Sequence, residues 1–135
     1  MRALALLLAV AATPATADIF PIRTPSGNIG CTVGIDGGGA QSDIHCEIVE
    51  RSDPPAALRP AGCAGPWGHV FLLREHGAVE MRCGPPGGAP GGDVAQYGQT
   101  GRFGGITCLS RQQGFECRNA DGHGFFLSRK RQSLF

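Results

Sequence analysis

The sequence predicts an all-β domain: a small antiparallel sandwich or partly closed barrel of six to eight strands, held by three disulfides. Three observations carry this expectation. Short runs of alternating apolar and polar residues are separated by glycine- and proline-rich turns, in a chain with 22 glycines and 10 prolines. The chain begins with the pattern of an export signal. All six cysteines follow that signal, and two hairpins carry one cysteine on each arm.

Residues 1–17 read as the signal. Arg2 is the charged start, Ala3 to Ala12 an apolar run, and Ala15-Thr16-Ala17 a small-residue cleavage site. The apolar run is too short to span a bilayer, and no later stretch reaches the required length of about 20 residues. No cysteine near the cleavage site offers a lipid anchor. The expected organisation is a signal over 1–17 and one disulfide-bonded β domain over 18–135, periplasmic or secreted, with no membrane insertion after cleavage.

The 12 basic and 11 acidic residues become equal once Arg2 is removed. Balanced charge gives no nucleic-acid footprint and no polybasic membrane patch. Arg129-Lys130-Arg131 is the one basic run and reads as a solvated end.

The strands follow in order. Ile19 to Arg23 is a first strand, placed at an edge because Pro21 has no N–H to give a ladder. Thr24-Pro25-Ser26-Gly27 suits a type I turn. Ile29, Cys31, Val33 and Ile35 alternate with small residues, and Ile44, Cys46 and Ile48 answer them on the return arm. Setting Cys31 opposite Cys46 places Val33 opposite Ile44 and Ile29 opposite Ile48, so one face takes every apolar residue. Directly opposed Cα atoms stand about 4.5–5.5 Å apart, which a disulfide can bridge. The glycine-rich link 36–41 tolerates positive φ.

Residues 50–66 carry four prolines and form a connector, either extended or with one helical turn started by Asp53 before Pro54. A second hairpin runs from Trp67 to Cys83 around Glu75-His76-Gly77, with Gly77 left-handed, Leu73 opposite Val79, Phe71 opposite Met81 and His69 opposite Cys83. Val70 and Leu72 are apolar on the other face, so this hairpin should be covered on both sides. Gly84 to Gly92 is low in complexity. Its prolines remove donors and no lysine follows, so it reads as a flexible solvent loop rather than a phosphate cradle.

In the last hairpins, Cys108 opposite Cys117 sets Leu109 opposite Glu116 and Ser110 opposite Phe115. Asp121-Gly122 is a two-residue turn signal. It would set Cys117 opposite Phe126 and Phe115 opposite Ser128, with Phe125 and Leu127 on the other face. Cys31–Cys46 and Cys108–Cys117 are thus hairpin staples, and Cys63–Cys83 follows by elimination. The stretches around the two staples are alike in outline, as two hairpins with similar needs would be. Zinc is the rival reading, but no cysteine pair has the spacing of about two to four residues that structural sites use.

FPIRTPSGNIGC, YGQTGRFGGITC and GFECRNADGHGFFLSR together resemble a family of small secreted bacterial six-cysteine domains with the outline S-P-S-G-N-I-x-C … Y-G-Q … G-H-x-F-x-x-S-R. The likeness covers nearly all of residues 18–135, with Thr24-Pro25 standing where the outline has Ser-Pro. That family is uncharacterised. The resemblance implies export and disulfides, and it assigns no activity and no site residue.

Candidate chemistry is weak. Asp121, His123 and Ser128 supply triad residue types, but on a strand His123 and Ser128 point to opposite faces about 16 Å apart. Asp121 is better explained as a turn former. His45, His69, His76 and His123 lie on separate elements and suggest no metal site. Asp43 with Glu47, or Glu75 with Glu80, read as charges on solvated faces rather than acid–base pairs. No catalytic residue, metal or cofactor is assigned. The residues left for a binding role are His123, flanked by two glycines that allow close approach, Phe125 beside it, and Trp67, the single tryptophan. The expected function is an exported, non-enzymatic binding or recognition module for a protein or small-molecule partner outside the cytoplasm. The alternatives are an inhibitor of a secreted hydrolase such as a lysozyme or protease, presenting a rigid braced loop, and a small hydrolase using His123 or His69.

Overall fold

The computed structural model describes residues 11–12, 18–36, 41–52, 54–87 and 91–135. The signal reading therefore lies almost wholly outside the described residues, as does the suggested helical start at Asp53. Among the described residues, eleven strands follow one another: β1 Asp18–Arg23, β2 Ile29–Ile35, β3 Ser42–Ile48, β4 Val70–Arg74, β5 Glu80–Arg82, β6 Asp93–Val94, β7 Thr100–Phe103, β8 Ile106–Arg111, β9 Gly114–Arg118, β10 Gly124–Leu127 and β11 Gln132–Leu134. They exceed the six to eight expected because β6, β7 and β11 are edge strands of two to four residues with no legible alternation.

The strands form two sheets, β5-β4-β3-β2-β1-β6 and β11-β10-β9-β8-β7, neither closed into a barrel. All pairings are antiparallel except β1 with β6. The inner faces meet as a sandwich. Ile22, Val33, Ile44, Ile48, Phe71 and Leu73 of the first sheet pack on Ile106, Phe115, Phe125 and Leu127 of the second. Phe71 and Phe125 touch across the layers at 5.8 Å between ring centroids.

Local pattern decided much of this. Ile29, Cys31 and Val33 pair with Ile48, Cys46 and Ile44 in the expected register. Cys108 pairs with Cys117, and Ser110 with Phe115. The three disulfides are Cys31–Cys46, Cys63–Cys83 and Cys108–Cys117, and the two hairpin staples hold Cα atoms 4.1 Å apart. Both staples lie in the core. Phe71 pairs with Met81, Gly77 has φ +89°, and Val70 and Leu72 are buried on the face away from the core. The edge position expected for β1 is corrected, since β6 lies outside it; β6 reaches only Ile22 and Arg23, so the missing Pro21 N–H breaks no ladder bond.

Two further expectations are corrected. In the last hairpin Cys117 pairs with Phe125 and Phe115 with Leu127, one residue from the expected register. The turn has three residues, not two: Asn119 N–H donates to the His123 carbonyl at 2.8 Å, and Gly122 takes φ +83°. A one-residue slip exchanges the faces, so Phe125 and Leu127 enter the core and Phe126 lies outside it. The second correction concerns Gly84 to Gly92. It joins β5 on one edge of the first sheet to β6 on the other, so it must cross all the strands between. Gly87 N–H donates to Glu47 Oε2 on the outer face of β3 at 2.5 Å, and a Cβ at Gly92 would overlap the Pro21 backbone on β1. The described part of this segment is an anchored strap, not a free solvent loop.

Candidate functional site

Three turns gather at the end of the sandwich where β2 begins. The β1–β2 turn is closed by Gly27 N–H to the Thr24 carbonyl at 2.9 Å. Buried Asn28 clamps it to the chain after β3, taking the Glu50 N–H on Oδ1 at 2.8 Å and giving Nδ2 to the Glu50 carbonyl at 2.9 Å. The β8–β9 turn, Gln112-Gln113, lines the same cleft, its two arms joined by the Cys108–Cys117 staple. In the β10–β11 turn Ser128 and Arg131 exchange backbone and hydroxyl bonds, and Arg129 gives its carbonyl to Ser52 N–H at 2.7 Å.

These turns enclose an open cleft of about 500 Å³. Buried Ile29, Phe115 and Leu127 form its floor. Arg111, Arg129, Lys130, Arg131, Tyr97, Gln112 and Gln113 supply its rim, and among the described residues no aspartate or glutamate lines it. Arg129 pairs with Glu50, and Arg131 lies over the Phe126 ring at 4.3 Å. Arg111 and Lys130 have no carboxylate partner among the described residues. Tyr97, half exposed, sits at the tip of the turn closed by Gln99 N–H to the Gln96 carbonyl, anchored by Gly98 N–H to the Ser110 carbonyl at 2.7 Å. An apolar floor under converging cations and amides suits an amphipathic or aromatic anion.

The opposite end of the sandwich carries the other sign. Asp36, Asp43 and Glu75 line a second groove of about 660 Å³ together with His45, Arg74 and His76. Glu75 Oε2 accepts from Ser42 N–H at 3.1 Å. Nearby, Asp121 ties two turns together: Oδ1 meets His76 Nδ1 at 3.0 Å and Oδ2 accepts from Gly77 N–H at 2.8 Å. The hydrogen bond to Asp121, then its charge, raises the His76 pKa above the ordinary 6.5. The same bond, followed by that of Gly77 N–H, lowers Asp121 below 3.8. Glu80 is lowered by its hydrogen bonds to Arg74 and then Arg82.

The sequence-selected residues are not brought together. Phe125 is 0 % exposed in the core, where no partner reaches it. Trp67 is 7 % exposed and donates its indole N–H to the Ala57 carbonyl at 2.8 Å, which makes it an anchor of the connector. His123 is half-buried in the β9–β10 turn, with its N–H on Asn119 Oδ1. Asp121 engages His76, while Ser128 bonds Arg131 at the far end of β10. His69 Nδ1 meets the Ile48 carbonyl at 2.7 Å, and His45 Nε2 stands 3.9 Å from Glu47 with no hydrogen-bond partner among the described residues. No group of three His, Cys, Asp or Glu that could hold a metal occurs among the described residues. The basic cleft was missed because its cations come from two turns, one of them read only as a solvated end.

A protein-family model matches residues 2–135, nearly the whole chain. The chain belongs to DUF6636, a family of unknown function. No curated protein and no solved structure matches it. The function of this DUF6636 domain therefore has to be argued from its own surface. Its three disulfides indicate an oxidising environment outside the cytoplasm.

Proposed function

We propose that this DUF6636 domain is an exported binding module that takes an anionic ligand in the basic cleft. The observation that carries the reading is that Arg111 and Lys130, both without a carboxylate partner among the described residues, line one cleft with an apolar floor. Guanidinium groups recognise carboxylate, phosphate and sulfate through paired donors. The cleft walls are braced by a disulfide and by Asn28, so little ordering is left to the binding step. Export by cleavage after Ala17 would deliver the domain to the compartment its disulfides require.

The test is binding of a sulfated oligosaccharide, polyphosphate, polyglutamate and a neutral dextran at low and high salt. Binding of at least one anion, weakened by salt and by about tenfold or more in Arg111→Gln/Lys130→Gln, supports the reading, and the strongest arm identifies the anion. Equal binding by the double variant, or no anion bound at low salt, overturns it.

A further inference from the structure

The connector between β3 and β4 holds a second surface that uses none of the cleft residues. Leu58 is 93 % exposed, the most exposed of the large hydrophobic residues described. A single surface leucine is ordinary. What sets this one apart is how its neighbours are held. Ala56 N–H donates to Oε1 of buried Gln132 at 2.8 Å, and the Gln132 amide in turn donates to the Gly68 carbonyl. The Ala57 carbonyl takes the Trp67 indole N–H at 2.8 Å. Beyond the leucine, Arg59 Nη1 donates to the Gly65 carbonyl at 2.6 Å, and the Pro60 carbonyl accepts Cys63 N–H at 3.0 Å. The Cys63–Cys83 disulfide closes the base. Pro54, Pro55 and Pro60 restrict φ on both sides of the tip.

The loop is thus tied to Gln132 and Trp67 by the two residues before Leu58, and beyond it is closed on itself by the Arg59–Gly65 and Pro60–Cys63 bonds above the Cys63–Cys83 disulfide. No hydrogen bond engages the Leu58 N–H or carbonyl among the described residues. An apolar side chain pointing outward, with its own peptide groups open and its flanks immobilised, is what a substrate cleft recognises: backbone bonds along the chain and one side chain in a pocket. Because the ordering cost is largely met before association, such a loop binds more tightly than a flexible peptide of the same sequence.

We propose that the Leu58 loop docks, substrate-like, in the active-site cleft of a secreted serine endopeptidase whose primary pocket is apolar. Leu58 fills the pocket, the Leu58–Arg59 peptide lies at the nucleophile, and the anchored flanks hold the loop in place, so the enzyme is blocked by occupancy.

The oxidised, exported protein is titrated against chymotrypsin and subtilisin, with trypsin, whose acidic pocket takes basic side chains, as the control, reading hydrolysis of a small chromogenic peptide. Inhibition of at least one apolar-pocket enzyme is expected, weakened about 100-fold by Leu58→Asp. Leu58→Arg is expected to move inhibition towards trypsin. Leu58 packs against little, so both variants should keep the wild-type melting temperature, which separates a lost contact from a lost fold. Arg111→Gln/Lys130→Gln should inhibit like wild type, so failure of the anion cleft and failure of this loop are distinguishable. The proposal is overturned if neither apolar-pocket enzyme is inhibited, if Leu58→Asp inhibits as well as wild type, or if Leu58–Arg59 is cut as fast as in an unstructured peptide.

Discussion

Gly124 lies so close to the facing strand that a Cβ there would overlap the Cys117 carbonyl oxygen and crowd the Phe135 ring. Gly122, two residues earlier, has open space around it and a positive φ of +83°. The two glycines flanking His123 therefore serve different ends. Gly124→Ala should cost about 2–4 kcal/mol by forcing β9 and β10 apart, whereas Gly122→Ala should cost about 1 kcal/mol of backbone strain. Urea unfolding of the two variants checks the order. His76 and Asp121 predict a pH effect. His76 is raised, so its stabilising share is complete below 6.5 and fades as pH rises through the raised value. Asp121 is lowered, so its share is complete above 3.8 and fades as pH falls through the lowered value. The tie between the two turns is thus strongest between those limits. An NMR titration should place the His76 midpoint above 6.5, and Asp121→Asn should bring it back down.

The strap shows how a low-complexity element acquires a fixed minimum length. Its two ends lie on opposite edges of a six-stranded sheet, about 24 Å apart at the usual strand spacing. The ten residues between β5 and β6 reach about 36 Å when extended. Removing four leaves a chain that spans the sheet only when taut, with no slack to rise over Glu47. Deletion of four residues within 85–91 should therefore detach β6 from β1, exposing the Ala95 amide to hydrogen exchange and lowering the melting temperature by several degrees. Deleting one residue should be tolerated. The last hairpin teaches the same point about turns. Asp121-Gly122 was legible as a turn, but its length was settled by Asn119, whose amide reaches the Arg74 and Gly77 carbonyls on the other sheet. Its Oδ1 meanwhile accepts the Asp121 and His123 N–H groups. Local propensity has no knowledge of that hook.

At the scale of the whole molecule, stability rests on a small core with two disulfides inside it and a third at the connector. Each closes a loop of 9 to 20 residues, worth about 3 kcal/mol on the chain-entropy account. Their sum is comparable to the whole stability of a domain this size, about 5–15 kcal/mol. Full reduction should therefore unfold most of the protein at 37 °C, seen as loss of near-ultraviolet circular dichroism, while Cys108→Ala alone should cost roughly 2–5 kcal/mol. Charge is also arranged at this scale. The near-neutral total conceals one basic end around Arg111 and Lys130 and one acidic end around Asp43 and Glu75.

The sequence by itself determined the all-β class, the three disulfides, the registers of β2 with β3 and of β8 with β9, and the left-handed Gly77. Each depends on neighbours along one chain segment, through period-two alternation, a turn residue or two cysteines facing across a hairpin, except Cys63–Cys83, which follows by elimination once the two staples are placed. Tertiary structure decided what depends on distant partners. It set the face on which Phe125 lies, because Asn119 is held from the other sheet. It made Trp67 an anchor rather than a contact, because the side chain is buried and its indole N–H is taken by the Ala57 carbonyl. It gathered Arg111 and Lys130 into one cleft, and it lifted Leu58 clear of the surface. Period and spacing record the direction of a side chain relative to its own strand, whereas a site depends on which loops the stacked sheets carry to the same end.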